Sequence, residues 1–205
     1  MKELQTAPQE ITGEMSYQMY REMTDALLAA GKTTGNNHSE MMISYTKMNV
    51  TRMKRIDKHT PLLDELAGFV AAMERPQKWV VITEPWCGDA AQIVPVFNKI
   101  AEASNGNIEM VLVLRDHHEA LMNQYLTNGG KSIPKLIAYD AASGEELFNW
   151  GPRPVPAQKL FLELKNAEAP FQELSEKLHK WYADDKTITT QSELLSYLMT
   201  FTSEP

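Results

Sequence analysis

A short run of apolar residues near the middle of the chain limits the possible fold more than any other feature. Residues 79–83 (WVVIT) are almost wholly apolar and β-branched, which is typical of a strand buried on both faces. A helical stretch follows from Cys87 to about Ala103, and residues 108–114 (IEMVLVL) form a second strand of this kind. Two such strands joined by a helix predict a parallel βαβ unit.

The chain after this unit alternates again. Residues 117–127 have a helical pattern, and residues 134–140 and 145–150 predict two strands joined in a hairpin. A further helix is predicted from Pro156 onward. The central order is therefore β-α-β-α-β-β-α, which predicts an α/β fold with a mixed sheet of about four strands and helices on both faces.

Helical patterns flank this central region on both sides. Near the start, apolar residues recur at every fourth position: Met15, Met19, Met23 and Leu27. Asn37 and Glu40 have the spacing of a capping box and predict a second helix, and Thr60 followed by Pro61 predicts the start of a third. Residues 191–201 predict a last helix.

Charge and cysteine content exclude several classes of function. The net charge of −7 argues against binding to nucleic acid or to membrane surfaces, because both are polyanions. We expect no membrane span and no secretory signal, since the apolar runs are short and the first residues contain no apolar segment. One cysteine excludes an internal disulfide, so a soluble protein of the reducing cytoplasm is expected. No residue spacing predicts a metal site, and no cofactor is expected.

Three features in the central region carry a family resemblance. Trp86-Cys87-Gly88 lies between the first strand and its helix, Pro95 follows eight residues after the cysteine, and Ser132-Ile133-Pro134 opens the next strand. In this order they resemble the thioredoxin superfamily over residues 62–166. The resemblance implies a thioredoxin fold, a helix kinked at Pro95, and a cis proline at Pro134 that faces the cysteine.

Five short segments also make the chain similar to a bacterial branch of thioredoxin-like proteins: Trp86–Asp89, Leu114–Asp116, Leu126–Gly129, Ile133–Leu136 and Trp150–Pro154. We therefore expect a thioredoxin-like domain over residues 60–166. An N-terminal helical extension over residues 1–59 is expected to pack on it, and residues 167–205 form a C-terminal helical extension.

The chain departs from dithiol thioredoxins at three positions. Ala90 stands where the family has its second cysteine, Val81 where it has a buried aspartate, and Leu112 where it has the lysine that pairs with that aspartate. The resemblance then implies a monothiol protein in which Cys87 is the catalytic nucleophile. Such a protein forms a mixed disulfide with a protein or peptide and needs an external low-molecular-weight thiol for release.

Two influences on Cys87 oppose each other. A helix N-terminus favours the thiolate, whereas Asp89 is a nearby negative charge that disfavours it. Two functions therefore stay open: thiol–disulfide exchange through Cys87, and a redox-inactive module that binds a peptide in the same groove.

The expected substrate-binding residues surround the cysteine: Trp86, Gly88, Asp89, Ile133, Pro134, Arg115 and Arg153. The family pattern implies that Ile133 offers its backbone to an extended substrate. Arg115 ends a buried strand, and Arg153 follows the hairpin, so either could favour the thiolate and bind a carboxylate. The alternative for both arginines is a structural ion pair with Glu84, Asp89 or Asp116.

Overall fold

A mixed four-stranded sheet forms the centre of the molecule. The structure, a computed structural model, describes residues 11–202, so both chain ends of the expected extensions lie outside the described residues. The strands are β1 (Gln77–Thr83), β2 (Ile108–Leu114), β3 (Lys135–Asp140) and β4 (Glu146–Trp150). Their order is β2-β1-β3-β4, with β1 parallel to β2 and β3 antiparallel to both β1 and β4. The predicted α/β sheet is confirmed.

Eight α-helices within residues 11–202 surround the sheet: α1 (Tyr17–Ala29), α2 (Glu40–His59), α3 (Asp64–Ala71), α4 (Gly88–Ala103), α5 (Glu119–Met122), α6 (Val155–Asn166), α7 (Phe171–Asp185) and α8 (Ile188–Thr202). A 3-10 turn at Arg115–His117 precedes α5. Over the same described stretch, no helix is long and apolar enough to cross a membrane.

Alternate residues of β1 enter two separate cores. Trp79 and Val81 face the larger core, which α4 and the flanking helices share, whereas Val80 and Ile82 face the smaller one. Helices therefore cover both faces of the sheet. Val81 is fully buried and pairs in register with Leu112 of β2, so apolar packing occupies the place of the family's buried acid and its lysine.

Two predicted helix starts were wrong. Ser39 caps α2 by accepting a hydrogen bond from Met42 N (3.4 Å), and Asn37 instead accepts one from Ser39 N (3.1 Å). Thr60 ends α2 rather than starting α3. Residues 60–63 are extended because Gln191, far along the chain in α8, accepts a hydrogen bond from Leu63 N (2.7 Å).

The predicted helix over residues 117–127 is also wrong. The 3-10 turn is followed by a single turn of α-helix, and His118 between them has φ −126° and ψ 49°. The His118 ring lies 2.8 Å from Leu114 O and 2.7 Å from Thr12 O, so its hydrogen bonds hold it outside helical geometry.

The buried face of α1 matches the predicted one only in part, since Met23 packs against the larger core and Met19 does not. Tyr20 and Thr24 are buried, whereas Met19 is 54% exposed. Met15, before the helix, pairs with Leu112 through two backbone hydrogen bonds of 2.8 and 3.0 Å. This bridge ties the chain at the edge of β2 and thereby sets which face of α1 meets the core.

Candidate functional site

Cys87 is the N-cap residue of α4 and faces the loop that carries Pro134. Its Sγ accepts a hydrogen bond from Ala90 N (3.5 Å) and donates one to Ile133 O (3.3 Å). The Ile133–Pro134 peptide bond is cis. The fold thus brings Cys87 and Ile133 together from opposite ends of the central region, and the Cys87 side chain is half-buried.

The surroundings of Cys87 favour the neutral thiol. Burial, followed by the negative charge of Asp89, raises the pKa of Cys87 to about 12. The Ala90 N–H and the charge of Arg153 act in the opposite direction but are outweighed. At pH 7 the Cys87 thiol is therefore almost wholly protonated.

Asp89 is held by two partners from distant parts of the chain. Arg153 forms an ion pair with Asp89 at 2.7 Å from Nη2 to Oδ2, and the Tyr182 hydroxyl donates to Oδ1 at 2.8 Å. Burial still raises the pKa of Asp89, against the lowering effect of Arg153. Arg153 also donates to Gln158 (3.0 Å) and lies 3.9 Å from the ring centroid of Phe161.

The two arginines singled out in the sequence have different surroundings. Arg115 pairs with Asp116 (2.8 Å) and lies over the Trp86 ring, 4.8 Å from its centroid. Of the two, Arg153 is the one whose charge lowers the pKa of Cys87. Both arginines nevertheless form ion pairs, as the structural alternative anticipated.

Glu84, the third acid considered as a partner, is buried at the end of β1. It accepts hydrogen bonds from Asp116 N (3.1 Å) and from the Thr34 hydroxyl. Burial raises the pKa of Glu84 despite these hydrogen bonds. This carboxyl therefore ties the α1–α2 loop to the ends of β1 and β2.

Sequence reasoning missed the residues of α7 that cover the site. A Cβ added to Gly88 would lie 2.8 Å from His179 Nε2, so the imidazole rests directly on the first turn of α4. His179 Nδ1 is 3.3 Å from the amide nitrogen of Gln92. Burial, then the charges of Arg52 and of a second arginine of α2, lowers the pKa of His179 to about 4, so its ring is neutral at neutral pH.

No sequence signal pointed to these side chains. Tyr182 reaches Asp89 across 93 residues of chain, and α7 has the ordinary pattern of an amphipathic surface helix. Within residues 11–202, no group of three or more His, Cys, Asp or Glu side chains is arranged to hold a metal ion.

Most of this arrangement lies in a region that a known protein family shares. A family model described as Thioredoxin matches residues 35–169, which include α2, the whole sheet and Cys87. The chain belongs to the thioredoxin family. The matched range begins before α2 and ends between α6 and α7, so α7 and α8 lie beyond it.

Individual relatives resemble a shorter part of the chain. Thioredoxin 1 of Nostoc sp. is 36% identical over 55 residues, and thioredoxin 1 of Synechococcus elongatus is 33% identical over 55 residues. Each match covers 27% of this chain and 49% of the relative. The chain therefore spans about half the length of these thioredoxins.

Two solved structures share the fold over most of the chain. A protein of unknown function from Pseudomonas aeruginosa has a TM-score of 0.56 at 15% identity, covering 91% of this chain and 98% of that protein. An HIV epitope scaffold has a TM-score of 0.50 at 16% identity, covering 86% and 97%. These similarities establish a common fold.

Proposed function

We propose that this member of the thioredoxin family carries out thiol–disulfide exchange through Cys87 alone. The observation that carries the proposal is the position of its sulfur. Cys87, a partly buried residue, lies at the N-terminus of α4 with its Sγ 3.3 Å from the carbonyl oxygen of Ile133, on the loop that would hold an extended substrate.

The exchange takes place in two steps. The Cys87 thiolate attacks one sulfur of a protein or peptide disulfide, forms a mixed disulfide, and expels the other sulfur as a thiolate. An external low-molecular-weight thiol, as its thiolate, then attacks the substrate sulfur of the mixed disulfide, forms a new disulfide with the substrate and expels Cys87 as its thiolate. The external thiol is required because Ala90 occupies the position of a resolving cysteine. A reducing compartment such as the cytoplasm would supply it.

Substrate binding would itself activate the protonated thiol. In the free protein, Ile133 O accepts the hydrogen bond of the Cys87 thiol. A substrate N–H that donates to Ile133 O takes this acceptor from the thiol and so removes an interaction that favours the neutral form. The Ala90 N–H and the Arg153 charge then remain to favour the thiolate.

A second function is favoured by the raised pKa of Cys87 and by the cover that His179 forms over Gly88. On this reading the chain is a redox-inactive module, and Cys87 is a buried hydrogen-bond donor. The same backbone of Ile133 and surface of Pro134 would bind a peptide without covalent chemistry.

Reaction with glutathione disulfide across a pH series separates the two functions. We expect a single glutathione adduct at Cys87, detected by mass spectrometry, that forms about tenfold faster for each pH unit between 7 and 10, because the thiolate fraction rises in that proportion below the pKa. Cys87→Ser is the control and should form no adduct. Added reduced glutathione should release the adduct.

Two results would contradict the proposal. Absence of any adduct up to pH 10 in a protein that stays folded would favour the binding module. Repeated disulfide reduction by wild-type protein without an added small thiol would show that Cys87 does not act as a monothiol.

A further inference from the structure

A cavity separate from the Cys87 sulfur lies between α2, α7 and α8. It has a volume of about 470 Å³, which is within the range of small-molecule sites. Apolar side chains form much of its wall, among them Ile56 of α2, Leu63 before α3 and Ile188 at the start of α8. It therefore offers an apolar surface of the size of a small organic molecule.

Arg55 and Lys186, the two charged side chains that line this cavity, are both positive. Arg55, His59 and Lys186 line it, and no aspartate or glutamate among the described residues does so. No described carboxylate forms an ion pair with any of the three. Arg55 makes one long hydrogen bond of 3.4 Å to Gln92. In a chain of net charge −7, such a grouping favours an anionic ligand.

The wall formed by the α7–α8 junction is strained and fixed. Lys186 and Thr187 both have positive φ, 52° and 68°, which is unusual for any side chain and more so for β-branched threonine. Gln191 holds the junction by donating to the Thr187 hydroxyl (2.9 Å) and to Pro61 O (3.3 Å). These contacts fix the strained turn that places Lys186 in the cavity wall.

We propose that this cavity binds a small anion with an apolar body, whose carboxylate or phosphate group meets Arg55 and Lys186 while its hydrocarbon part packs on the apolar wall. This ligand class follows from the volume, the apolar lining and the single sign of charge. The proposal does not depend on the chemistry of Cys87.

Titrating the full chain with octanoate, octyl phosphate, octanol and octylamine tests this proposal. Binding is measured by calorimetry and by the shifts of backbone amide signals in NMR spectra. We expect octanoate or octyl phosphate to bind at least tenfold more tightly than octanol, with octylamine weakest. The largest shifts should come from residues that line the cavity. Tighter binding of octyl phosphate than of octanoate would identify a phosphate group as the preferred anion, and the reverse a carboxylate.

Variants locate the charge contacts. Arg55→Met and Lys186→Met should each weaken octanoate binding by about fivefold, the scale of one partly exposed charged contact. Lys58→Met is the matched control, since Lys58 lies on α2 outside the cavity lining, and it should leave binding unchanged. Equal binding of octanol and octanoate, no binding of either anion at millimolar concentration, or an equal loss in the control would overturn the proposal. The probe series on wild-type protein stands even if a variant fails to fold.

Discussion

The Cys87 sulfur has two backbone contacts that act oppositely on its ionisation. Donation to Ile133 O favours the neutral thiol, and acceptance from Ala90 N favours the thiolate, at similar distances of 3.3 and 3.5 Å. Burial and the charge of Asp89 then decide in favour of the neutral form. The ionisation of one cysteine thus depends on a nearby acid whose own partner is Arg153.

Removing the negative charge of Asp89 and removing the positive charge of Arg153 should change the reactivity of Cys87 in opposite directions. Asp89→Asn removes a negative charge, so we expect the pKa of Cys87 to fall and its alkylation by iodoacetamide at pH 8 to quicken by about tenfold. Arg153→Met should slow the same reaction. Arg115→Met is the matched control, because Arg115 pairs with Asp116. An unchanged rate in Asp89→Asn, or equal effects of the two arginine variants, would contradict this account.

Among the helices, α7 packs against the first turn of α4. His179 rests on Gly88, and Tyr182 donates to Asp89 from the next turn of the same helix. Positive φ angles occur at Glu168 (52°), just after α6, and at Lys186 (52°), directly after α7. The helix therefore forms a cover whose placement follows from the two turns that bound it.

Removing the imidazole should expose the first turn of α4. Burial is the largest cause of the raised pKa of Cys87, so His179→Ala should lower that pKa and accelerate iodoacetamide alkylation at pH 8 severalfold. The control is His117→Ala, because His117 is an exposed residue at the end of the 3-10 turn. If both variants react at the wild-type rate while circular dichroism shows both folded, α7 does not protect the thiol.

Across the whole molecule, one core joins the sheet to helices from both ends of the chain. Met53 of α2, Trp79 of β1 and Leu194 of α8 all belong to the larger buried cluster. We therefore propose that the described residues of the three expected segments, 11–59, 60–166 and 167–202, unfold together.

A pair of methionines on α2 tests this shared core. Met53 is 1% exposed, so Met53→Ala should cost about 2–5 kcal/mol of the free energy of unfolding. Met48 is 43% exposed, and Met48→Ala should cost less than about 0.5 kcal/mol. Urea unfolding followed by tryptophan fluorescence and by far-UV circular dichroism should give one coincident transition. Separate transitions would show that the extensions are independent units.

Local patterns in the sequence were sufficient for the sheet and for the place of the cysteine. The β1-α4-β2 unit follows from two short apolar runs and the stretch between them, because burial on both faces selects such residues. Local patterns were insufficient for helix starts such as that of α3, because Gln191, far along the chain in α8, accepts a hydrogen bond from the backbone just before that helix.

The sequence by itself determined a β-α-β-α-β-β-α order with one cysteine at a helix start and no second thiol, because these depend on residue type, order and local periodicity. The resemblance of its motifs to the thioredoxin superfamily then implied the thioredoxin fold. Only the tertiary structure decided the charge state of Cys87 and the cover over it. Those depend on burial and on charges brought close by folding, as when Tyr182 reaches Asp89 across 93 residues. Folding likewise decides that Arg153 lies beside Cys87 and that Arg115 lies over the Trp86 ring.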